Sequence, residues 1–276
     1  MPNLSLATRN AVADLTGPED PLDLKQLREE IDRVDDAILK LIEQRAALAR
    51  QVGHAKSADP AGVLNLKPAR EAHVLSRLIR KARPASRRVV LAIWRELMSA
   101  GLAAQGQVEI AIWGGGDRRV QDGALRRFGA SADYSPADRP EAALERARTG
   151  NTVAVLALQS DSPWWTQLAS RYPALWICEA LDGARGPGEP VALAVARVDP
   201  KSLAGGRTFL LSMGGDAGLH APATRLLGFD TGARLYVTDK VSNAEITAQD
   251  RHRGVLGRAP VFCLSAKQAV GQGEAT

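Results

Sequence analysis

One apolar seam constrains this chain more than any other feature. Leu24 and Leu27 are followed by Ile31, Val34, Ile38 and Leu41, then, past Arg45, by Leu48, Val52 and Ala55. From Leu27 the spacing alternates four and three, a heptad pattern on one helix. It predicts a helix over 22–57, capped by Asp23, with acids in its first turns where the helix dipole favours them. Ser57, Asp59, Pro60 and Gly62 end it. Such a helix is about 50 Å long. Two shorter helices follow, near 69–82 (Val74, Leu75, Leu78, Ile79) and near 86–105 (Val89, Val90, Ile93, Trp94, Leu97, Met98, Leu102). They cannot cover all of the first, so a second copy of the chain is the expected cover.

After Gly106 the texture changes. Short runs rich in β-branched residues, at 108–113, 152–158, 174–180 and 190–198, alternate with helical patterns near 119–128, 139–149 and 164–171. This is an α/β pattern. From about 207 a smaller unit is expected: strand TFLLSM, a helix near 217–227, strand RLYVTD, a strand near 243–249 and strand VFCLSA. That order fits a ferredoxin-like module with a weak second helix. The expected organisation is therefore a lead-in over 1–21, a helical domain over 22–106, an α/β domain over 107–205, a ferredoxin-like module over 206–267 and a tail over 268–276.

Composition narrows the class. The net charge of +5 invites a nucleic-acid reading, but the charge is uneven. Residues 14–43 carry net −6, residues 44–106 net +9 and residues 107–276 net +1. A single basic segment suits a small polyanionic ligand as well as it suits a phosphate backbone. Two cysteines, Cys178 and Cys263, rule out a disulfide framework and point to a reducing compartment. No apolar run reaches bilayer length, and the first 21 residues lack the pattern of a secretory signal. The histidines, His54, His73, His220 and His252, show no metal-ligand spacing. Gly114–Gly116 after a strand could cradle a phosphate, yet lacks the spaced glycines and Lys of a nucleotide loop. A plain turn is the simpler reading.

The charged residues of the helices invite a sharper one. Arg45 occupies a seam position where an apolar residue is expected, and a buried guanidinium is costly unless paired. Lys56 lies eleven residues on, close to three full turns, and so shares its face. No acid stands at matching spacing, which allows an anion from outside; solvated rim positions with snorkelling stems fit equally. Arg28 is turned about 100° away from Arg45. It can serve the same pocket only from a dimer partner, or it is a plain surface residue. Arg70 and Glu71 open the second helix, where a Glu is also an ordinary dipole partner. Gln105 ends the third.

Taken together, Leu27-Arg28-Glu29-Glu30-Ile31-Asp32, Glu43-Gln44-Arg45, Val52-Gly53-His54-Ala55-Lys56, Ala69-Arg70-Glu71, Trp94-Arg95-Glu96-Leu97 and Gln105 resemble the all-helical class of chorismate mutases. The resemblance covers about 22–106 in order and spacing. It implies an intertwined homodimer, a cytoplasmic enzyme of phenylalanine and tyrosine synthesis, and chorismate and prephenate as substrate and product. The reaction is a [3,3] rearrangement that needs no cofactor and no metal. By resemblance, Arg28 from the partner and Arg45 clamp the two carboxylates, Lys56 and Gln105 donate to the ether oxygen, Arg70 organises the pocket, and Glu71 holds the ring hydroxyl. Some members carry Glu at the Gln105 position and must protonate it. There are two departures: Lys67 stands where an acid is frequent, and Gly101 where a Ser is common.

The resemblance extends to the tail. Bifunctional relatives follow the mutase with a prephenate dehydratase domain and a regulatory ferredoxin-like domain. Here the glycine-rich opening reads Gly114-Gly115-Gly116-Asp117, and Thr208-Phe209 lacks the intervening Arg of the dehydratase signature. A degenerate dehydratase-like domain without that activity is expected, and for the regulatory-type module either an aromatic amino acid effector or a scaffold or dimerisation role. A related isochorismate pyruvate lyase, a non-catalytic chorismate or amino-acid sensor, and a DNA-binding role for the basic segment stay as alternatives.

Overall fold

The computed structural model describes residues 23–55, 63–83, 85–114, 116–158, 162–182, 190–213, 224–230, 232–242, 250 and 254–260. The chain divides into two units, 1–45 and 46–276, and the first helix, α1 (Leu24–Ala55), runs through the boundary.

Helix α1 begins with a reciprocal cap. Asp23 Oδ1 accepts from the Gln26 amide at 2.8 Å, and Gln26 Oε1 accepts from the Asp23 amide at 2.9 Å. Two of the helix's orphan N–H groups are thereby satisfied. Its 32 residues span about 48 Å. No side chain of α1 is buried; the seam from Leu24 to Val52 is exposed. Helix α2 (Pro68–Lys81) starts with Pro at its first position, where the missing N–H costs nothing, and buries Leu75. Helix α3 (Arg87–Ala103) buries Val90, Arg95 and Gly101. All three helices lie where the periodicity places them.

Beyond them, β1 (Glu109–Trp113), α4 (Arg118–Phe128), β2 (Asp133–Ala137), α5 (Pro140–Arg148) and β3 (Thr152–Ala157) form parallel crossover units, with β2 and β3 flanking β1. A 3₁₀ turn (Trp164–Thr166) and α6 (Gln167–Ser170) lead to β4 (Trp176–Asp182) and β5 (Pro190–Ala196). A second 3₁₀ turn (Pro200–Leu203) precedes β6 (Gly206–Met213), β7 (Thr224–Asp230), β8 (Ala233–Ser242) and β9 (Val255–Pro260). These nine strands join one sheet, in the order β2-β1-β3-β5-β4-β9-β6-β8-β7.

The sheet buries both faces, as the period of two requires. Leu156, Trp164, Trp165, Ile177, Phe209 and Leu235 pack on one side. Ile110, Val120, Phe128, Val153, Val155 and Cys178 pack on the other. Leu64 and Leu66, from the segment entering α2, belong to that second cluster. Their segment is pinned there: the Leu64 amide donates to the Arg197 carbonyl at 2.7 Å. Leu64 and Leu66, just ahead of α2, are thus part of the α/β core.

The sheet corrects the expected order of elements. Residues 224–227, expected at the end of a helix over 217–227, belong to strand β7, because Leu226 and Arg225 pair with Tyr236 and Val237 of β8; 217–223 lie outside the described residues. Strand β9 occupies Val255–Pro260, ahead of the expected VFCLSA strand, which lies outside the described residues together with 243–249. Strand β9 carries a glycine for a reason. Gly257 has φ +153, and a Cβ there would sit 2.0 Å from the Ile177 carbonyl oxygen of β4. Only glycine lets β9 approach β4 and join the two halves of the sheet. Strand β2, at the sheet edge, has no counterpart in the sequence reading.

Candidate functional site

The end of α3, the entry to α2 and the last turns of α1 meet at Gln105. Its Nε2 donates to the Gly101 carbonyl at 2.8 Å, and its Oε1 accepts from Asn65 Nδ2. One N–H of the amide stays without a bond among the described residues. Gly53 makes the approach possible: a Cβ there would stand 3.1 Å from Gln105 Cα. The absent hydroxyl at Gly101 leaves the carbonyl of that residue as the local polar partner.

Glu71 is held by an ion pair through one of its oxygens. Arg127 of α4 donates from Nη2 to Glu71 Oε2 at 2.7 Å and from Nε to Glu179 Oε2 of β4. Arg127 and Glu179 are buried, and Glu71 nearly so. Arg95 of α3, also buried, donates to the Arg127 carbonyl at 3.4 Å. The four side chains carry two positive and two negative charges. Burial opposes the charge on Arg127, but Glu71 and Glu179 outweigh it and hold the guanidinium above its ordinary value. Burial, followed by Arg127, pushes Arg95 down to about 10 against the pull of Glu179 and Glu71. Removing one partner of such a buried group costs about 3–5 kcal/mol, because the others are left uncompensated.

The remaining sequence candidates are placed as follows. Arg70 is exposed beside Glu71, Arg28 is exposed on α1, and Arg45 is half-buried on the same helix. Lys56 lies outside the described residues. Lys67 faces Asp199 at 3.7 Å, both partly exposed, which gives the first departure a weak partner of its own. Sequence reasoning does not single out Arg127 and Glu179, although a signal exists. Arg127 falls on the apolar face of α4 with Val120, Ala124 and Phe128, and Glu179 interrupts the apolar strand 176–181.

Two cavities lie nearby. One of about 230 Å³ is walled by Leu66, Glu71, Met98, Leu102, Arg127 and Phe128. The other, about 540 Å³, lies at the carboxyl ends of β1 and β2 and is lined by Trp113, Gly114, Tyr134, Pro136 and Asp138 among others. Crevices at that end of parallel strands are ordinary ligand sites. Cys178 is buried, and burial pushes its thiol far up, so it is an inert core residue. Among the described residues no cluster of His, Cys, Asp and Glu forms a metal site, and no helix is long and apolar enough to cross a membrane.

Similarity to known proteins covers part of the chain. The chain is 34% identical over 119 residues to the bifunctional chorismate mutase/prephenate dehydratase of Aquifex aeolicus (strain VF5), covering 41% of this chain and 32% of that protein. It is 33% identical over 117 residues to the bifunctional chorismate mutase/prephenate dehydratase of Stutzerimonas stutzeri, with the same shares. The chain therefore spans about a third of the length of these relatives. No solved structure matches it. Residues 27–106 match the chorismate mutase type II family. That stretch, which holds Arg28, Arg45, Arg70, Glu71 and Gln105, is a chorismate mutase type II domain.

Proposed function

We propose that the chain is a chorismate mutase that isomerises chorismate to prephenate in aromatic amino acid synthesis. The match of residues 27–106 to that family, with the charged residues in order within it, carries this reading. Bond breaking runs ahead of bond making in this rearrangement, so negative charge builds on the ether oxygen. The protein has to hold a dianion in a compact conformer and donate to that oxygen. Arg28 of a partner copy and Arg45 supply planar forks for the carboxylates. Lys56 and Gln105 donate to the oxygen, Arg70 organises the pocket and Glu71 accepts from the ring hydroxyl. Among the described residues one N–H of Gln105 makes no hydrogen bond, which supports its part. An intertwined homodimer accompanies this reading, supported by the exposed seam of α1.

We read the tail as a dehydratase-like domain without that activity, since its sequence departs at both signatures. Residues 206–260 fit a ferredoxin-like module. Their strands β6, β7, β8 and β9 lie in the order β9-β6-β8-β7 with every neighbour antiparallel. Cytoplasmic placement follows from the biosynthetic role. An aromatic amino acid effector is favoured by the larger cavity with Trp113 and Tyr134 on its wall.

The test is turnover of chorismate by the purified chain, with isochorismate as a second substrate and with phenylalanine or tyrosine added. Prephenate formation is expected; no turnover, or pyruvate release from isochorismate alone, removes the reading. Because a neutral amide donates at any pH, activity should persist at neutral pH in the native chain and be confined to acid in Gln105→Glu. An unchanged pH–rate profile would take Gln105 out of the mechanism.

A further inference from the structure

Several contacts join the tail of this chain to the mutase domain, and one of them bears on Glu71. Glu71 opens α2 inside the family segment, whereas Arg127 and Glu179 belong to α4 and β4 of the α/β region. Arg127 bridges the two carboxylates with different nitrogens, Nη2 to Glu71 and Nε to Glu179. A planar fork fixed at one end by Glu179 leaves the other end little freedom. Only one oxygen of Glu71 is engaged: among the described residues its Oε1 accepts no hydrogen bond.

Arg95 closes the arrangement from α3 by holding the backbone carbonyl of Arg127. A neighbouring contact fixes the same joint, since Glu96 Oε1 accepts from the Ala130 amide at 2.6 Å. A free glutamate at the start of a helix samples several rotamers. This one is tethered by one oxygen, with the second left to accept.

We propose that Arg127, anchored by Glu179, is a positioning residue that aims the Glu71 carboxylate at the hydroxyl of the substrate, so that the α/β region completes the mutase site. The proposal rests on the mutase reading above. Arg127 touches no reacting atom in it; it acts through Glu71 on binding rather than on bond rearrangement.

The test is a double-mutant cycle in the full chain, with KM and kcat for chorismate and thermal melting recorded for each variant. Arg127→Gln should raise KM about tenfold, the weight of one hydrogen bond to a charged group, and change kcat far less. Glu71→Gln should raise KM by a similar factor, and adding Arg127→Gln to it should change KM less than about twofold, since coupled residues are non-additive. Should Arg127→Gln fail to fold, Arg127→Lys is read instead. A single ammonium cannot span both carboxylates as the fork does, so KM should still rise severalfold. Fully additive effects, a loss confined to kcat, or an unchanged KM in a folded Arg127 variant would each overturn the proposal. A native chain without turnover overturns the mutase reading and this proposal with it, whereas normal native turnover with an indifferent Arg127 overturns this proposal alone.

Discussion

Helix α1 and strand β3 are both built on apolar residues, yet every side chain of β3 is buried and none of α1 is. Strand β3 reads as a continuous apolar run because both faces of the sheet at that point are covered. Helix α1 repeats its apolar residues every seven positions, so its seam forms one stripe along about 48 Å. A stripe of that length exceeds what monomeric proteins ordinarily leave in water. The same residue types therefore stand in different settings: in β3 they are buried in the sheet of one chain, and in α1 they lie exposed along one stripe, the surface on which the proposed dimer rests.

Substitutions separate these two settings. The largest effect is expected in the sheet. Leu156, fully buried, should cost about 2–5 kcal/mol when changed to Ala, read as a lowered midpoint in urea. Sedimentation of the folded fraction should be unchanged. On the seam the outcome should invert. Ile38, 48% exposed, changed to Lys should change the unfolding free energy of a dilute sample by no more than about 0.5 kcal/mol while halving the mass of the proposed dimer seen by sedimentation equilibrium. An Ile38→Lys sample that stays dimeric would show that α1 is not the association surface.

Sequence legibility follows the same division. Helices α1 to α5 and strands β1, β3 and β6 lie close to where local periodicity puts them, because each carries its whole signal within itself. Strand β7 reads locally as helix: Leu226, Leu227 and Phe229 carry no strand alternation, and pairing with β8 decides the matter from outside the segment. Strand β9 contains Gly257 and Pro260, which read as turn residues. Its identity comes from the close approach to Ile177, 80 positions earlier in the chain. The site divides likewise. The residues of the family segment follow from order and spacing along the chain. Arg127 and Glu179 are 52 positions apart, and only their shared oddity, a charge on an apolar pattern, marks them in advance. Two opposite charges misplaced in this way are a usable signal that each expects a partner.

The smallest expected effect sharpens the comparison at the joint rather than in the sheet or on the seam. Glu96 of α3 accepts from the Ala130 amide at 2.6 Å and from the Ser131 hydroxyl at 3.1 Å. Hydrogen bonding to the Ala130 amide is the main reason its carboxyl stays below the usual glutamate range. Because the folded value is depressed, the charged form is favoured by folding. Its stabilisation is present above the unfolded value of about 4.3 and fades as pH falls through the folded one. The net worth of these bonds is about 1 kcal/mol. Glu96→Gln keeps an acceptor oxygen but no charge. It should lower stability by about that amount at pH 7, and the gap between native and variant should close below about pH 4, read from urea unfolding at stepped pH. A gap that persists unchanged at about pH 3 would mean that the carboxylate charge contributes nothing to holding α3 against the α4–β2 turn.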